Sequence, residues 1–275
     1  MSSSDDGRLG GMTRPELDYY ADGAWYDAEY VHIRNDIPYY ASVAAESPGP
    51  VLELACGTGR LTIPMAQAGA TVLGVDVVPA MIEQANAKLV QLDVADQERL
   101  KFEVGDMRTL RLGETFPTVV LAFNTLMHMT EDADLEATLA TAREHLSDDG
   151  LFHLDMHTPH PAVAPRDDPK GRYEPQEMIE PRSGRRFVVT ENNEYDPRHQ
   201  INHMHFFYQE VDHRGRHIGE EWSRTLRLRV IFPRELDLWL HNCGLEVVGD
   251  WDDWEREIAF SGQGGKRVLM ARKRR

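Results

Sequence analysis

The sequence predicts an α/β fold: a parallel sheet covered by helices on both faces, with an antiparallel β insertion late in the chain. Three observations predict it. Three apolar runs carry acidic residues at or near their ends: Val51–Leu54 around Glu53, Thr71–Val75 before Asp76, and Leu100–Gly105 before Asp106. Between residues 50 and 157, strand-like and helix-like segments alternate, which implies parallel strands joined by crossovers. After residue 157 the pattern changes to proline-broken, strand-like segments separated by turns, which implies antiparallel pairing.

Taken in order, the opening Met1–Gly7 is polar and has no apolar signal-peptide core, so residues 1–12 are expected to be a flexible tail. Residues 13–46 carry Tyr19, Tyr20, Trp25, Tyr26, Tyr30, Tyr39 and Tyr40 and read as a helical cap packed on the sheet. Some of these rings could also close over a ligand. Strands are expected at 50–55, 71–76, 101–105, 118–123 and 151–156, and helices at about 59–68, 79–90 and 132–146. Leu135, Leu139, Ala142 and Leu146 recur at helical spacing and form a stripe to bury. Ser147-Asp148-Asp149-Gly150 stops that helix.

Six prolines between Pro159 and Pro181 break any long helix in the next segment. Phe187–Thr190, Ile201–Val211 and Trp222–Phe232 then read as strands of an insertion over 159–231, with turns at Asp196-Pro197 and His213-Arg214-Gly215. It serves either as a lid over a ligand or as an oligomer interface. Pro233 suits the first turn of another helix, which Asn242-Cys243-Gly244 ends. Strands near 245–249 and 267–272 complete the sheet, so the core domain spans 47–158 and 232–275.

At 275 residues the chain can bury a full core, and its net charge is −16. That charge argues against a nucleic-acid partner, because neutralising phosphates needs a basic face. No apolar run is long enough to span a membrane. Cys56 and Cys243 make no disulfide framework, so a cytoplasmic protein is expected.

The chemistry concentrates in Glu53-Leu54-Ala55-Cys56-Gly57-Thr58-Gly59-Arg60, a strand end followed by a glycine turn and then a helix. Such a turn brings backbone close to a ligand where a Cβ would collide. With Asp76 and Gly105-Asp106-Met107, the series resembles the class I S-adenosylmethionine-dependent methyltransferases. Their first motif is acidic-x-Gly-x-Gly-x-Gly. Here it is read as Glu53, Ala55 in the first glycine slot, and the pair Gly57 and Gly59, with Arg60 where a last glycine would be sought. The resemblance covers about residues 50–157. It implies a Rossmann-like seven-stranded methyltransferase sheet, S-adenosylmethionine as cofactor, and transfer of a methyl group to a nitrogen or oxygen of a small molecule. The pattern is closest to amino-sugar and glycine-type N-methyltransferases.

The same resemblance implies roles for single residues. Asp76 would accept both ribose hydroxyls, Asp106 the adenine amino group, and the backbone of Met107 a ring nitrogen. Val77 and Met81 would pack on the adenine, and Phe123 would sit at the end of the fourth strand near the methyl. Glu53 would act on the ligand's amino group through water or backbone. Tyr26, in a Tyr26-Asp27 pair familiar in such proteins, and His128 are the catalytic candidates. An imidazole titrates near neutrality and could take a proton from the acceptor.

Phe123-Asn124-Thr125-Leu126 lacks the Pro-Pro-aromatic run of enzymes that methylate DNA bases. Eight of the twelve histidines lie between 153 and 217, and His203 and His205 share a strand face. No cysteine joins them, so no metal is expected. His157 could also face the acceptor, and Arg172, Arg227 and Arg229 could meet an acidic one, although an exposed strand explains the last two equally well. Two other readings stay open. One is a non-catalytic S-adenosylmethionine-binding protein. The other is a nicotinamide-dependent oxidoreductase, whose Gly-x-Gly-x-x-Gly would need glycine where Thr62 stands.

Overall fold

The computed structural model describes residues 14–159 and 171–275. The expected tail at 1–12 and His160 lie outside the described residues. Three short helices open the chain: α1 (Arg14–Tyr19), α2 (Gly23–Glu29) and α3 (Ile37–Ala45). The carboxylate of Asp22 caps α2 by accepting from the Trp25 N–H at 3.1 Å.

The core follows as β1 (Val51–Leu54), α4 (Thr62–Gln67), β2 (Val72–Asp76), α5 (Pro79–Leu89), α6 (Val94–Arg99), β3 (Leu100–Val104), β4 (Phe116–Leu121), α7 (Asp132–His145) and β5 (Leu146–His157). After the insertion, α8 (Pro233–Asn242), β10 (Leu245–Trp251) and β11 (Lys266–Lys273) finish it. Seven strands lie in the order β10-β11-β5-β4-β1-β2-β3. β1 pairs in parallel with both β2 and β4, whereas β11 runs antiparallel between β5 and β10. The chain reverses its direction of travel between β1 and β4. The carboxyl ends there diverge, and a crevice opens. Leu52, Leu54, Leu121, Leu139 and Phe152 are fully buried between the layers.

The insertion holds β6 (Tyr173–Ile179), β7 (Arg186–Asp196), β8 (Ile201–Val211) and β9 (Trp222–Arg229), an antiparallel sheet in sequential order. Its inner face packs on the N-terminal helices, where Trp25 meets Phe187, Tyr208 and Trp222 with ring centroids 5.1–5.6 Å apart. Arg229, 8% exposed, joins this sheet to the core through Asp132 at 2.6 Å and Glu235 at 2.8 Å.

Several elements differ from expectation. Strand β6 is new. Pro175 disguised it, but β6 is an edge strand and its pairing slips between Tyr173 and Gln176, so the missing N–H is tolerated. β7 runs well past Thr190, because Glu191–Glu194 pair with β8 although they are polar. β9 ends at Arg229, before the expected Phe232. α6 buries no side chain and so left no apolar stripe to read; Asp93 caps it. α4 begins at Thr62, three residues late, because the turn before it is left-handed at two glycines. No helix among the described residues is long and apolar enough to cross a membrane.

Candidate active site

The glycine turn follows β1 and is tied to the end of β2. Asp76 Oδ2 accepts from the Gly57 N–H at 2.8 Å, and Oδ1 accepts from the Val78 N–H at 2.9 Å. Burial raises the Asp76 pKa to about 6 against the pull of those backbone donors. Gly57 (φ 56°) and Gly59 (φ 79°) both lie in the left-handed region. A Cβ on Gly59 would also come within 2.9 Å of the Phe102 ring. Gly59 therefore fills the last glycine position of the motif, and reading Arg60 there is corrected; the motif departs only at Ala55. Ala55 (φ 55°), Phe123 (φ 58°) and Asn124 (φ 60°) are left-handed without being glycine. All three line one cavity, and such backbone strain gathers at functional sites.

That cavity has a volume of about 410 Å³ and lies at the carboxyl ends of β1, β2 and β4. Ala55, Gly57, Asp76, Val77, Met81, Asp106, Met107 and Phe123 all line it, as do His128 and Tyr26. Two of the expected binding residues do not. Gly59 packs under the turn. Glu53, 3% exposed, accepts from the Thr62 hydroxyl at 2.5 Å and braces the start of α4. Burial raises its pKa to about 8.

That shift sets a stability test. The folded pKa lies above the ordinary value of about 4.3, so the fold holds the neutral acid. The stability it carries is complete below the unfolded pKa and is lost as pH rises toward 8. Glu53→Gln is expected to flatten the decline of Tm across that window. Thermal melts of both proteins measure it, and identical slopes would remove Glu53 as the cause.

Asp106 is gripped by Arg108, with Nη2 2.8 Å from Oδ2 and Nε 3.1 Å from Oδ1; Arg108 also reaches Asp134 at 2.8 Å. Phe123 is held from below. Its N–H donates to the fully buried Asp155 at 2.7 Å, which also accepts from Tyr40 Oη at 2.7 Å and pairs with Lys266 at 3.3 Å. Arg60 stacks on the Phe123 ring at 4.5 Å and is fixed by both oxygens of Asp36. Asn124 Oδ1 accepts from the His157 N–H at 2.6 Å. Sequence reasoning missed Asp155; it sits inside an apolar run, and its partners are remote in sequence.

His128 lies in a single 3-10 turn, Thr125–His128, after β4. Its Nε2 is 3.1 Å from Tyr20 Oη, and its buried Nδ1 has no hydrogen-bond partner among the described residues. Burial lowers its pKa to about 4, so the ring is neutral at pH 7. An orphaned buried N–H is rarer than an orphaned acceptor. We therefore assign the ring proton to Nε2, donated to Tyr20. Burial pushes the Tyr20 pKa well up, so the phenol keeps its own proton for a second acceptor. Tyr20 was legible only as one of several aromatic rings in the cap. Arg172, Arg227 and Arg229 lie outside the cavity lining: Arg172 pairs with Glu221 at 3.1 Å, and Arg227 reaches Thr130 at 3.2 Å. Among the described residues, no three His, Cys, Asp or Glu side chains are arranged to hold a metal.

Residues 51–150 match the methyltransferase domain family. The structure superposes on the CcbJ methyltransferase of Streptomyces caelestis with a TM-score of 0.74 and 27% identity, covering 88% of this chain and 97% of that one. Residues 51–150 are thus a methyltransferase domain. Within the family the chain is 33% identical over 109 residues to a cypemycin N-terminal methyltransferase of Streptomyces sp., covering 40% of this chain and 42% of that protein. It is 29% identical over 117 residues to a dTDP-3-amino-3,6-dideoxy-α-D-glucopyranose N,N-dimethyltransferase of Streptomyces fradiae, covering 42% and 43%. The chain spans about half the length of the curated relatives it matches. The family, and Thr62 bound to Glu53 where a dinucleotide fingerprint needs glycine, disfavour the oxidoreductase reading.

Proposed function

We propose that this protein uses S-adenosylmethionine to methylate a nitrogen nucleophile, or an oxygen, of a small-molecule acceptor. One observation carries the reading: a single cavity runs from the strand-end carboxylates Asp76 and Asp106 to the Tyr20–His128 pair beneath the four-stranded sheet. The residues fit the cofactor. Asp76 has lone pairs left after its two backbone bonds and stands where a ribose would lie. Val77, Met81 and Met107 offer apolar walls for a purine, and left-handed Ala55 and Gly57 keep side chains out of its way. Bound there, the cofactor would supply an activated methyl on a sulfonium.

The chain's own residues then bind, align and dry the site. Burial beneath the sheet disfavours the charged form of an amine, so a strong base is not required. The Tyr20 hydroxyl, held by His128, orients the acceptor. The Tyr26 and Tyr30 rings pack at a tilt of 44° with centroids 4.7 Å apart, and both line the cavity. A protein that only bound the cofactor would have no use for the part of the cavity beyond Phe123, so that reading is disfavoured. We infer a cytoplasmic enzyme without a nucleic-acid partner, supported by the net charge of −16 and by free Cys56 and Cys243. Calorimetry with S-adenosylhomocysteine and with NAD, followed by turnover on matched amines and phenols, tests the proposal. We expect binding of the first ligand only, and faster turnover of amines. Binding without turnover of any acceptor would sink the catalytic reading, and preference for NAD the whole one.

A further inference from the structure

Both His128 and His157 line the cavity, and the proposed function uses only the first. His157 ends β5, which pairs in parallel with β4, so it stands beside the Phe123–Asn124 end of that strand. Its backbone N–H donates to Asn124 Oδ1 at 2.6 Å, which clasps the left-handed Asn124 to the end of β5. On the other side β11 runs antiparallel, with Lys266 opposite His157.

The ring's tautomer follows from its partner. Nδ1 lies 3.2 Å from the Gly265 carbonyl oxygen, which also accepts from the Thr158 N–H at 3.2 Å. A carbonyl oxygen only accepts, so Nδ1 carries the proton and the neutral ring keeps its lone pair on Nε2. Among the described residues no hydrogen bond is made to that Nε2. Partial burial and the Lys266 ammonium hold the ring's pKa below its ordinary value, against the opposing pull of the Gly265 carbonyl and Asp155. The ring is therefore neutral at pH 7 and able to take a proton. His157 also remains open to solvent. His128 differs on each point. Its proton is committed to Tyr20, and its other nitrogen, Nδ1, is buried.

An amine in water at pH 7 is mostly ammonium and has no lone pair to give. One proton must leave before a methyl group can be accepted. Resting on the methyltransferase reading, we propose that His157 Nε2 takes the proton from the acceptor and hands it to solvent. The acceptor's N–H bond breaks and its electron pair stays on nitrogen. The proton bonds to Nε2, and the positive charge passes from the ammonium to the imidazole. The imidazolium then releases that proton to water and regains the Nδ1–H tautomer. Burial of the acceptor already disfavours its charged form, so a weak base suffices. Tyr20 and His128 orient the acceptor, and His157 deprotonates it.

Two measurements test this. In the first, the full chain is labelled with heavy nitrogen at histidine, saturated with S-adenosylhomocysteine and read by long-range proton–nitrogen NMR, with His157→Gln assigning the signals. His157 is expected as the Nδ1–H tautomer at pH 7, titrating below the ordinary value of about 6.5. An Nε2–H tautomer, or an imidazolium at pH 7, would overturn the proposal. In the second, kcat at saturating S-adenosylmethionine is followed across pH with a methylated amine of the matched panel. Wild-type kcat is expected to rise with pH through the same ionisation and then level off. His157→Gln should lower the plateau by about 10²-fold and lose that limb, with S-adenosylhomocysteine affinity little changed. Lys266→Met removes the cation beside the ring and should move the limb to higher pH. A His157→Gln enzyme with wild-type kcat, or one that keeps the limb, would overturn the proposal. Failure to bind S-adenosylhomocysteine, or to methylate any amine of the panel, would instead sink the function reading and this inference with it.

Discussion

Asp76→Ala is expected to weaken S-adenosylhomocysteine binding by about a hundredfold. A hydrogen bond to a charged acceptor contributes roughly 1.5–3 kcal/mol, and the proposed ribose site would lose two. The structure adds a second cost. The Gly57 and Val78 N–H groups both donate to this carboxylate, so its removal loosens the glycine turn as well as the ligand. Asp76→Asn keeps the shape but sets an amide against one of those donors, and is expected to fall in between. The pKa near 6 gives an independent readout. As pH falls through about 6 the carboxylate gains a proton and loses an acceptor, so wild-type affinity should drop there and the alanine variant's should not. Calorimetry across pH measures both effects. A folded Asp76→Ala protein with unchanged affinity would end the assignment.

Residues could be read where their role is set by position on a strand. Asp76 and Asp106 end apolar runs, and parallel strands bring such ends to one edge, so sequence spacing placed both at the cavity. Glu53 obeys the same pattern but faces Thr62. Which way a side chain at a strand end turns depends on the helix that follows, and α4 starts later than its apolar spacing suggests. The antiparallel insertion was legible from its turns. Its edge strand β6 was not, since a proline reads as a break unless the free edge is known. The far wall of the cavity was least legible. Glu29, Glu191 and Tyr20 come from α2, β7 and the segment just after α1, and only the docking of the sheet on the helical cap brings them together. Asp155 shows the same limit inside the core: its carboxylate fixes Phe123 across 32 positions of chain.

The Tyr20–His128 pair is expected to act as one unit, with His128 as a positioning residue for the tyrosine hydroxyl. His128→Ala should cut turnover by about 10²–10³-fold, within the usual range for a positioned proton donor or acceptor. Tyr20→Phe removes the group that would meet the acceptor and should lose a comparable factor. The double variant should be little worse than either single one, because residues that work together are not additive. Cofactor affinity should change little in all three, which separates this test from the one on Asp76. The pH dependence discriminates further. With a pKa near 4, His128 is already neutral above pH 5, so turnover at saturating cofactor should carry no His128 ionisation between about pH 5 and 8. A rate limb near 6.5, the ordinary histidine value, that vanishes in His128→Ala would instead make the imidazole itself the base. Additive losses in the double variant would dissolve the pair, and full turnover in Tyr20→Phe would remove the hydroxyl from the reaction.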